Sequence, residues 1–369
     1  MSITAFNENL QSALNKRSEA GLLRSLSVMP EHAIDFCSND YLGFARLSFT
    51  NNSMPSNGAT GSRLISGNHI ATEQLETTIA EYHHAQAALL FNSGYAANTG
   101  LLGCIAGRHD TFLIDELSHA SIHDGVRLSY AASFKFKHND LQDLEQKMKL
   151  VTGQCFVVTE SLFSMDGDKA PLTEIAELCR QYKALLIVDE AHATGVYGPE
   201  GRGLVCEHKL ENAVMARIFT YGKALGVHGA AITGSHELKQ FLINHARSFI
   251  YSTALPPHTV HSITTAYQHL PMADINALNT LIAYFKTKAA DIHHLNISLN
   301  DGPIQTVITG SNDAAKALAA ELQKVNIYAK AILSPTVPAG SERLRICLHT
   351  FNTTSEIDLL FNTFLKHKP

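Results

Sequence analysis

The sequence predicts an α/β fold with a mostly parallel central sheet and a smaller α+β domain at the C-terminal end. From residue 34 to about 255, short apolar runs alternate with segments of helical length. This alternation is typical of βαβ units, whose parallel sheet is covered on both faces. After Pro256-Pro257 a long helical stretch precedes a few short strands. The chain has 369 residues, which suits two domains.

The predicted elements follow in order. Apolar residues at helical spacing, among them Phe6, Leu10 and Leu14, predict an N-terminal helix. Strands are predicted at 87–91, 111–115, 133–137, 155–159, 184–189, 216–220 and 229–233. Helices are predicted at 140–150, with Asn139 as its cap and Gln142 at capping-box spacing, and at 173–183. The C-terminal part predicts helices at 258–290, 313–325 and 354–366 and strands at 305–309 and 343–348. We therefore expect a helical arm (1–36), a large domain (37–255) and a small domain (256–369).

Composition excludes several classes of protein. With 45% hydrophobic residues and a net charge of -5, the chain does not predict a nucleic-acid-binding surface. No apolar segment is long enough for a membrane span, and the charged N-terminus is not a secretory signal. The six cysteines are scattered without a CxxC pair, which predicts reduced thiols and a cytoplasmic protein. The twenty histidines show no zinc-binding spacing, so we expect no metal site.

Lys223 and the segment 188–192 carry the strongest chemical signal. Asp189 ends an apolar strand, His192 follows three residues later, and Lys223 follows another strand. An amine, a carboxylate and an imidazole at strand ends are what a protein needs to hold pyridoxal 5′-phosphate. Taken alone, Lys223 also fits an exposed loop lysine, but Gly222 and Gly226 favour close approach to a ligand. An acid after an apolar run also ends Walker B strands, but the chain has no Walker A loop.

Other strand ends add polar groups. Ser93, Gly94 and Tyr95 open a predicted helix whose N-terminus suits a phosphate, although a plain strand-to-helix turn has the same pattern. His119 follows a strand and can stack on a flat ring or simply cap a helix. Residues 160–168 offer hydroxyl and acid groups at the same edge of the sheet.

A pair of arginines on a predicted strand of the small domain adds a second kind of site. Arg343 and Arg345 alternate there, so both point to one face, where a guanidinium fork suits a carboxylate. A solvated pair on an edge strand is the alternative interpretation.

With these residues in place, the chain resembles the α-oxoamine synthases, a family of fold-type I pyridoxal-phosphate enzymes. The similarity covers nearly the whole chain and includes residues 38–43 (SNDYLG), 58–63 (GATGSR) and 335–338 (PTVP). It implies an enzyme that condenses an amino acid with an acyl thioester and releases CO2. Within the family, four stretches, residues 164–172, 222–231, 250–257 and 335–338, are most similar to the branch that uses L-alanine and a pimeloyl thioester in biotin synthesis.

The resemblance implies a role for individual residues. Lys223 would link to the cofactor, Asp189 would pair with its ring nitrogen, and His119 would stack on the ring. The remaining cofactor contacts would come from Gly94, Tyr95, Ser164, His192, Thr220, and from Ser252 and Thr253 towards the partner subunit of a homodimer. The amino-acid carboxylate would lie at Asn39 and Arg345, and Arg24 and Thr336 would lie towards the acyl group.

Alternatives remain open at this level. Another member of the family would use glycine or serine with a different acyl chain. The carrier, CoA or acyl-carrier protein, is not specified. One departure from many members is Leu333, where they carry an arginine just before the PTVP segment. A non-catalytic binding protein on the same fold is a further alternative, against which the complete set of Lys223, Asp189, His119 and His192 argues.

Overall fold

The computed structural model describes residues 3–24, 26–49 and 56–367. In that part of the chain the strands are β1 (Ile34–Asp35), β2 (Ala87–Phe91), β3 (Thr111–Asp115), β4 (Ala132–Phe136), β5 (Cys155–Glu160), β6 (Leu185–Asp189), β7 (Val214–Thr220), β8 (Ala230–Gly234), β9 (Asn296–Ser298), β10 (Ile304–Ile308), β11 (Ile327–Tyr328), β12 (Lys330–Ile332) and β13 (Arg343–Cys347). The α-helices are α1 (Ile3–Glu19), α2 (Ile70–Tyr82), α3 (Gly94–Leu102), α4 (Ala120–Arg127), α5 (Leu141–Met148), α6 (Leu172–Tyr182), α7 (Leu204–Glu207), α8 (His236–His245), α9 (Arg247–Ile250), α10 (Pro257–His269), α11 (Ile275–Ala289), α12 (Asn312–Lys324) and α13 (Thr354–Lys366).

The large sheet has the strand order β2-β8-β7-β6-β5-β3-β4 among the described residues. Strands β3 to β7 pair in parallel, and β8 is antiparallel to both of its neighbours. The prediction of a mostly parallel α/β sheet is therefore confirmed. Because β3, β5, β6 and β7 run in the same direction, their last residues meet at one edge, which we call the carboxyl edge of the sheet.

The interior strands of this sheet are buried on both faces. Every residue of β5 is buried. Val157 packs into one hydrophobic cluster, whereas Phe156 and Val158 pack into the other, as alternation along a strand requires. Continuous apolar sequence runs, rather than alternating ones, are the consequence.

The predicted strands form, as do the predicted helices, most with ends shifted by one or two residues. The exception is the stretch 258–290, predicted as one helical segment, which is divided into α10 and α11. A short 3-10 turn, Leu270–Met272, lies between them, because Pro271 cannot continue a helix.

The cap of α5 was predicted wrongly. Asp140, not Asn139, accepts hydrogen bonds from the backbone N–H groups of Gln142 and Asp143. Asn139 instead adopts a left-handed conformation (φ 55) and its side-chain amide donates to Asp168 at 2.8 Å. A long-range contact therefore replaces the local cap. The chain does contain a capping box, at Thr353 and Glu356 of α13.

A second, antiparallel sheet with the order β12-β13-β10-β9 lies towards the C-terminus. Short parallel pairing of β1 with β11 joins the N-terminal part of the chain to the C-terminal part. One hydrophobic cluster includes Phe36, Val188 and Ile346, so the core is continuous between the two sheets. The proposed division at residues 36 and 255 stays a prediction. None of the helices described here has the length and apolar character to cross a membrane.

Candidate active site

The carboxyl edge of the sheet brings four polar residues together. Asp115 ends β3, Glu160 ends β5, Asp189 ends β6 and Thr220 ends β7. Glu160 and Asp189 are direct neighbours in the parallel register and both are buried. In open α/β sheets this edge is where ligands bind, and here it places two carboxylates close enough to Lys223 to act on its charge.

Lys223 lies in a tight turn after β7. The backbone N–H of Gly226 donates to the carbonyl of Lys223 at 2.8 Å, and that of Val227 donates to Tyr221 at 2.9 Å. Gly226 has φ +63, and a Cβ there would lie 2.1 Å from the backbone nitrogen of Ala45, so only glycine fits. Burial lowers the pKa of Lys223 to about 8, although the Asp189 and Glu160 carboxylates oppose this shift. The amine is therefore much closer to its neutral, reactive form than an ordinary lysine.

Asp189 is connected to His119 through a chain of hydrogen bonds. The amide of Asn98 donates to Oδ2 of Asp189 at 2.8 Å and to Oγ of Ser121 at 3.0 Å. That hydroxyl lies 2.8 Å from Nδ1 of His119. The His119 ring is also the N-cap of α4, so its orientation is set by both the helix and the chain. His119 is an exposed residue, so its side chain is accessible to a ligand.

Glu160 holds the backbone of His119. Its Oε1 accepts the N–H of His119 at 2.5 Å. Burial raises the pKa of Glu160, and the neighbouring Asp189 carboxylate acts in the same direction. Glu160 is therefore readily protonated, and a neutral Glu160 avoids charge repulsion with Asp189.

The N-terminus of α3 forms a cradle beside Thr220. Ser93 caps the helix by accepting the N–H of Ala96 at 3.1 Å. A Cβ on Gly94 would lie 2.4 Å from Oγ1 of Thr220, so glycine is needed for this approach. The hydroxyl of Tyr95 donates to Asp124 at 2.6 Å. The group of Tyr95 that can face an anion is therefore its backbone N–H, which lies in the first turn of the helix.

A second hydrogen-bonded chain starts in the small sheet. Arg345 donates through Nε to the carbonyl of Ser164 at 2.6 Å and through a terminal nitrogen to Oδ1 of Asn39 at 2.9 Å. The hydroxyl of Tyr41 lies 3.1 Å from the same Oδ1 and 2.8 Å from Nδ1 of His192. The predicted residues Asn39, Ser164, His192 and Arg345 are thus joined.

Arg343 supports the same loop by an ion pair with Asp166. The two arginines therefore act towards one face, as predicted. Their strand β13 lies between β10 and β12 and both side chains are buried, so a solvated pair on an edge strand is excluded.

Four predicted residues have no described contact with the site residues above. Arg24 is exposed in the segment after α1, and Thr336 is exposed in a turn after β12. Ser252 and Thr253 line a small cavity with Asn92, whose amide donates to the carbonyl of Thr253 at 2.8 Å. The cavity adjoins the start of α3. A role of this pair in a partner subunit stays a prediction.

The residues present fit pyridoxal phosphate. Lys223 is a buried amine of lowered pKa and Asp189 is a fixed carboxylate. The N-terminus of α3, where Gly94 lies against Thr220, offers backbone N–H groups to an anion. An amine for the aldehyde, an acid for the pyridinium nitrogen and free N–H groups for the phosphate are the donor set that this cofactor requires.

Sequence reasoning did not assign a role to four residues that the structure places in the site. Tyr41, Asn98, Ser121 and Glu160 all lie inside segments that carry the predicted chemistry. Their functions depend on contacts across the fold, such as the 151 positions between Tyr41 and His192. In the sequence, what pointed to these four residues was that each lies in the same short segment as a predicted site residue.

Comparison with known proteins identifies the family of the chain. The family model described as aminotransferase class I and II matches residues 31–362. The 8-amino-7-oxononanoate synthase of Emericella nidulans is 37% identical over 391 aligned residues, covering 96% of this chain and 94% of that protein. The crystal structure of 8-amino-7-oxononanoate synthase from Francisella tularensis has a TM-score of 0.76 at 28% identity, covering 91% of this chain and 98% of that one.

A serine palmitoyltransferase from S. paucimobilis, solved with pyridoxal phosphate and myriocin bound, has a TM-score of 0.89 at 23% identity and covers 99% of this chain and 98% of its own. At that identity the likeness shows the fold alone. With the family match and the close relatives, the chain belongs to the aminotransferase class I and II family and, within it, to the α-oxoamine synthases, as a pyridoxal-phosphate-dependent C-acyltransferase similar to 8-amino-7-oxononanoate synthase.

Proposed function

We propose that the protein condenses L-alanine with a pimeloyl thioester to form 8-amino-7-oxononanoate, CO2 and the free thiol, a step of biotin synthesis. The observation that carries the proposal is the convergence of Lys223 and Asp189 with the Asn39 and Arg345 pair at one edge of the sheet. The choice of branch is supported by the relative named 8-amino-7-oxononanoate synthase, which aligns over 96% of this chain.

Pyridoxal phosphate, when bound, supplies an electron sink for the α-carbon of the amino acid. Asp189 would hold the ring nitrogen protonated, and the α3 N-terminus with Gly94, Tyr95 and Thr220 would hold the phosphate. His119 would lie against the ring face. Ser164 and His192 would lie along its edge, with His192 near the ring oxygen.

Protein side chains bind the substrate, transfer the proton and activate the thioester. Arg345 and Asn39 bind and orient the substrate carboxylate through charge-assisted hydrogen bonds. The Lys223 amine takes the α-proton, and its lowered pKa keeps a useful fraction neutral near pH 8. Holding this base beside the substrate makes the transfer effectively intramolecular. His119 polarises the acyl oxygen of the incoming thioester, whose acyl carbon bonds to the α-carbon while its carbon–sulfur bond breaks and the thiol leaves. Loss of CO2 and return of a proton to the α-carbon complete the reaction.

Substrate assays separate this proposal from its rivals. Purified enzyme is supplied with alanine, glycine or serine, each with pimeloyl, acetyl or palmitoyl thioesters, and released thiol is measured. Alanine with the pimeloyl thioester should give the highest kcat/KM. Clearly faster turnover of glycine with acetyl-CoA, or of serine with palmitoyl-CoA, would contradict the assignment. Comparing CoA with acyl-carrier protein as the carrier, in the same assay, identifies the donor.

We also propose a homodimer with shared active sites, in which Ser252 and Thr253 approach the phosphate of the partner subunit. Co-expression of a Lys223→Ala chain with a Ser252→Ala/Thr253→Ala chain tests this. Heterodimers would then contain one intact site of two, so an equal mixture should recover about a quarter of wild-type activity. Activity no higher than that of the separate variants would contradict shared sites.

A cytoplasmic location is part of the proposal. It is supported by the six free cysteines, four of which are buried, since disulfides are the rule in oxidising compartments and rare in the cytosol. Fractionation of cells that express the native chain tests it, and recovery with a membrane or extracellular fraction would contradict it.

A further inference from the structure

Tyr41 stands between the residues proposed to bind the substrate carboxylate and His192. Its side chain is fully buried. Its hydroxyl lies 3.1 Å from Oδ1 of Asn39, 2.8 Å from Nδ1 of His192 and 3.5 Å from a terminal nitrogen of Arg345. These three neighbours differ in what they can do. Arginine only donates, the amide oxygen only accepts, and an imidazole nitrogen does either, according to its tautomer.

A hydroxyl has one proton, so at any moment Tyr41 donates either to Oδ1 of Asn39 or to Nδ1 of His192. If it donates to Asn39, Nδ1 of His192 must carry a proton and donate to Tyr41, and Nε2 is left bare. If it donates to His192 instead, Nδ1 is the acceptor and the proton of the ring is on Nε2. Both arrangements keep the imidazole neutral. A neutral ring is expected because burial lowers the pKa of His192 well below its usual value, and the positive charges of Lys223 and Arg345 lower it further.

The state of Asn39 decides between the arrangements. Arg345 already donates to the same oxygen at 2.9 Å, which identifies that atom as the oxygen and partly satisfies it. A carboxylate bound at Arg345 competes for the guanidinium. Asn39 then depends on Tyr41 for its hydrogen bond, so the hydroxyl turns towards Asn39. His192 responds by losing its proton at Nε2 and gaining one at Nδ1.

We propose that Tyr41 is a positioning residue that couples the carboxylate-binding pair, Asn39 and Arg345, to the position of the proton on His192. The inference rests on the proposed function for the role of that pair. Through this coupling, Nε2 of His192 is a hydrogen-bond acceptor when an amino acid is bound at Asn39 and Arg345, and a donor when no amino acid is bound there. The hydrogen-bonding character of the group beside the cofactor ring thus depends on substrate occupancy.

Substitutions at Asn39 test the coupling without any substrate. The holoprotein is labelled with 15N in its histidine rings, and the His192 signals are identified by their loss in His192→Gln. Nitrogen-15 shifts distinguish protonated from bare ring nitrogens. Asn39→Ala removes the competing acceptor, so Nε2 should carry the proton. Asn39→Asp replaces the amide oxygen with a stronger acceptor, a carboxylate oxygen, on a side chain of nearly the same size. Nδ1 of His192 should then carry the proton. Combined with Tyr41→Phe, the two Asn39 variants should give the same His192 signals.

Tyr267→Phe is the matched control. It removes another buried hydroxyl that lies 3.0 Å from a histidine nitrogen, that of His83, and it should leave the difference between the Asn39 variants intact. The proposal is overturned if the two Asn39 variants have the same tautomer while Tyr41 is present, or if the difference persists in Tyr41→Phe. Neither result depends on turnover, so a failed alanine assay and a failed coupling are distinguishable.

Discussion

The side-chain amide of Asn98 donates a hydrogen bond to Oδ2 of Asp189 at 2.8 Å, with both residues buried. The other carboxylate oxygen accepts the backbone N–H of Ala191 at 2.9 Å. Both oxygens of Asp189 are therefore held by protein donors. The orientation of the carboxylate is set by the fold rather than by the ligand, which is the preorganisation that an electrostatic partner needs.

Asn98→Leu should weaken cofactor binding. The substitution leaves one oxygen of a buried carboxylate unsatisfied, at a cost of about 1–3 kcal/mol, which corresponds to roughly a 5- to 150-fold loss of affinity. Titration of the cofactor-free variant with pyridoxal phosphate, followed by visible absorbance, measures the effect. Asn276→Leu, at an exposed position of α11, is the control. Equal affinities for both variants would show that Asn98 does not orient Asp189.

The lowered pKa of Lys223 predicts how fast the cofactor is captured at different pH values. Only the neutral amine attacks an aldehyde. The rate at which the cofactor-free protein captures pyridoxal phosphate should therefore rise with pH and reach half its maximum near pH 8. Stopped-flow absorbance gives the profile, and Lys223→Ala should show no such phase. A rate that still rises above pH 10, as for an ordinary lysine, would contradict the lowered pKa.

His138 joins the end of β3 to the loop that carries Ser164. Its Nδ1 lies 2.9 Å from Asp115, and its Nε2 lies 2.7 Å from Asp168. Burial alone would lower the pKa of His138, but the hydrogen bonds to both carboxylates raise it to about 10. The charged ring is therefore a cationic clamp between two acids.

This clamp predicts a defined dependence of stability on pH. Because the folded-state pKa is raised from 6.5 to about 10, the stabilisation is complete below about pH 6.5 and is lost as the pH rises through 10. His138→Gln should lower the free energy of unfolding by about 2 kcal/mol at pH 6, and by less as the pH approaches 10. Denaturant unfolding at several pH values measures this. His236→Gln, at an exposed position, is the control. A difference that does not shrink with pH would contradict a charged His138.

Glu160→Gln should stabilise the cofactor-free protein. The folded-state pKa of Glu160 is raised by burial, so its contribution to stability is greatest at low pH and is lost as the pH rises above the ordinary glutamate value. Glutamine keeps an acceptor for the N–H of His119 but cannot ionise. The gain in Tm should therefore be larger at about pH 9 than at about pH 5. Glu174→Gln, on the exposed face of α6, should show no such trend. If Glu160→Gln had a lower Tm than the unsubstituted protein at high pH, the negative charge of Glu160 would be stabilising and this prediction would be wrong.

The sequence predicted the elements of the fold because strands buried on both faces leave continuous apolar runs, as in β5 and β6. It also predicted Lys223 and Asp189, whose chemistry is local to a strand end. It did not predict the roles of Tyr41, Asn98 and Glu160, since each acts through a partner elsewhere in the chain.

The wrongly predicted cap at Asn139 has the same physical cause. Its amide serves Asp168, 29 positions away, rather than the adjacent helix. A polar side chain near a helix start is read as a cap from sequence, and only the tertiary structure shows which partner it takes.

The most direct test of the central claim is to locate the covalent link to the cofactor. The holoprotein is reduced with borohydride, digested and examined by mass spectrometry, with Lys223→Ala treated in parallel. We expect a pyridoxyl group on the peptide that contains Lys223 and none in the variant. A label on a different lysine, or no label in a wild-type protein saturated with pyridoxal phosphate, would contradict the assignment of Lys223 and the active site built around it.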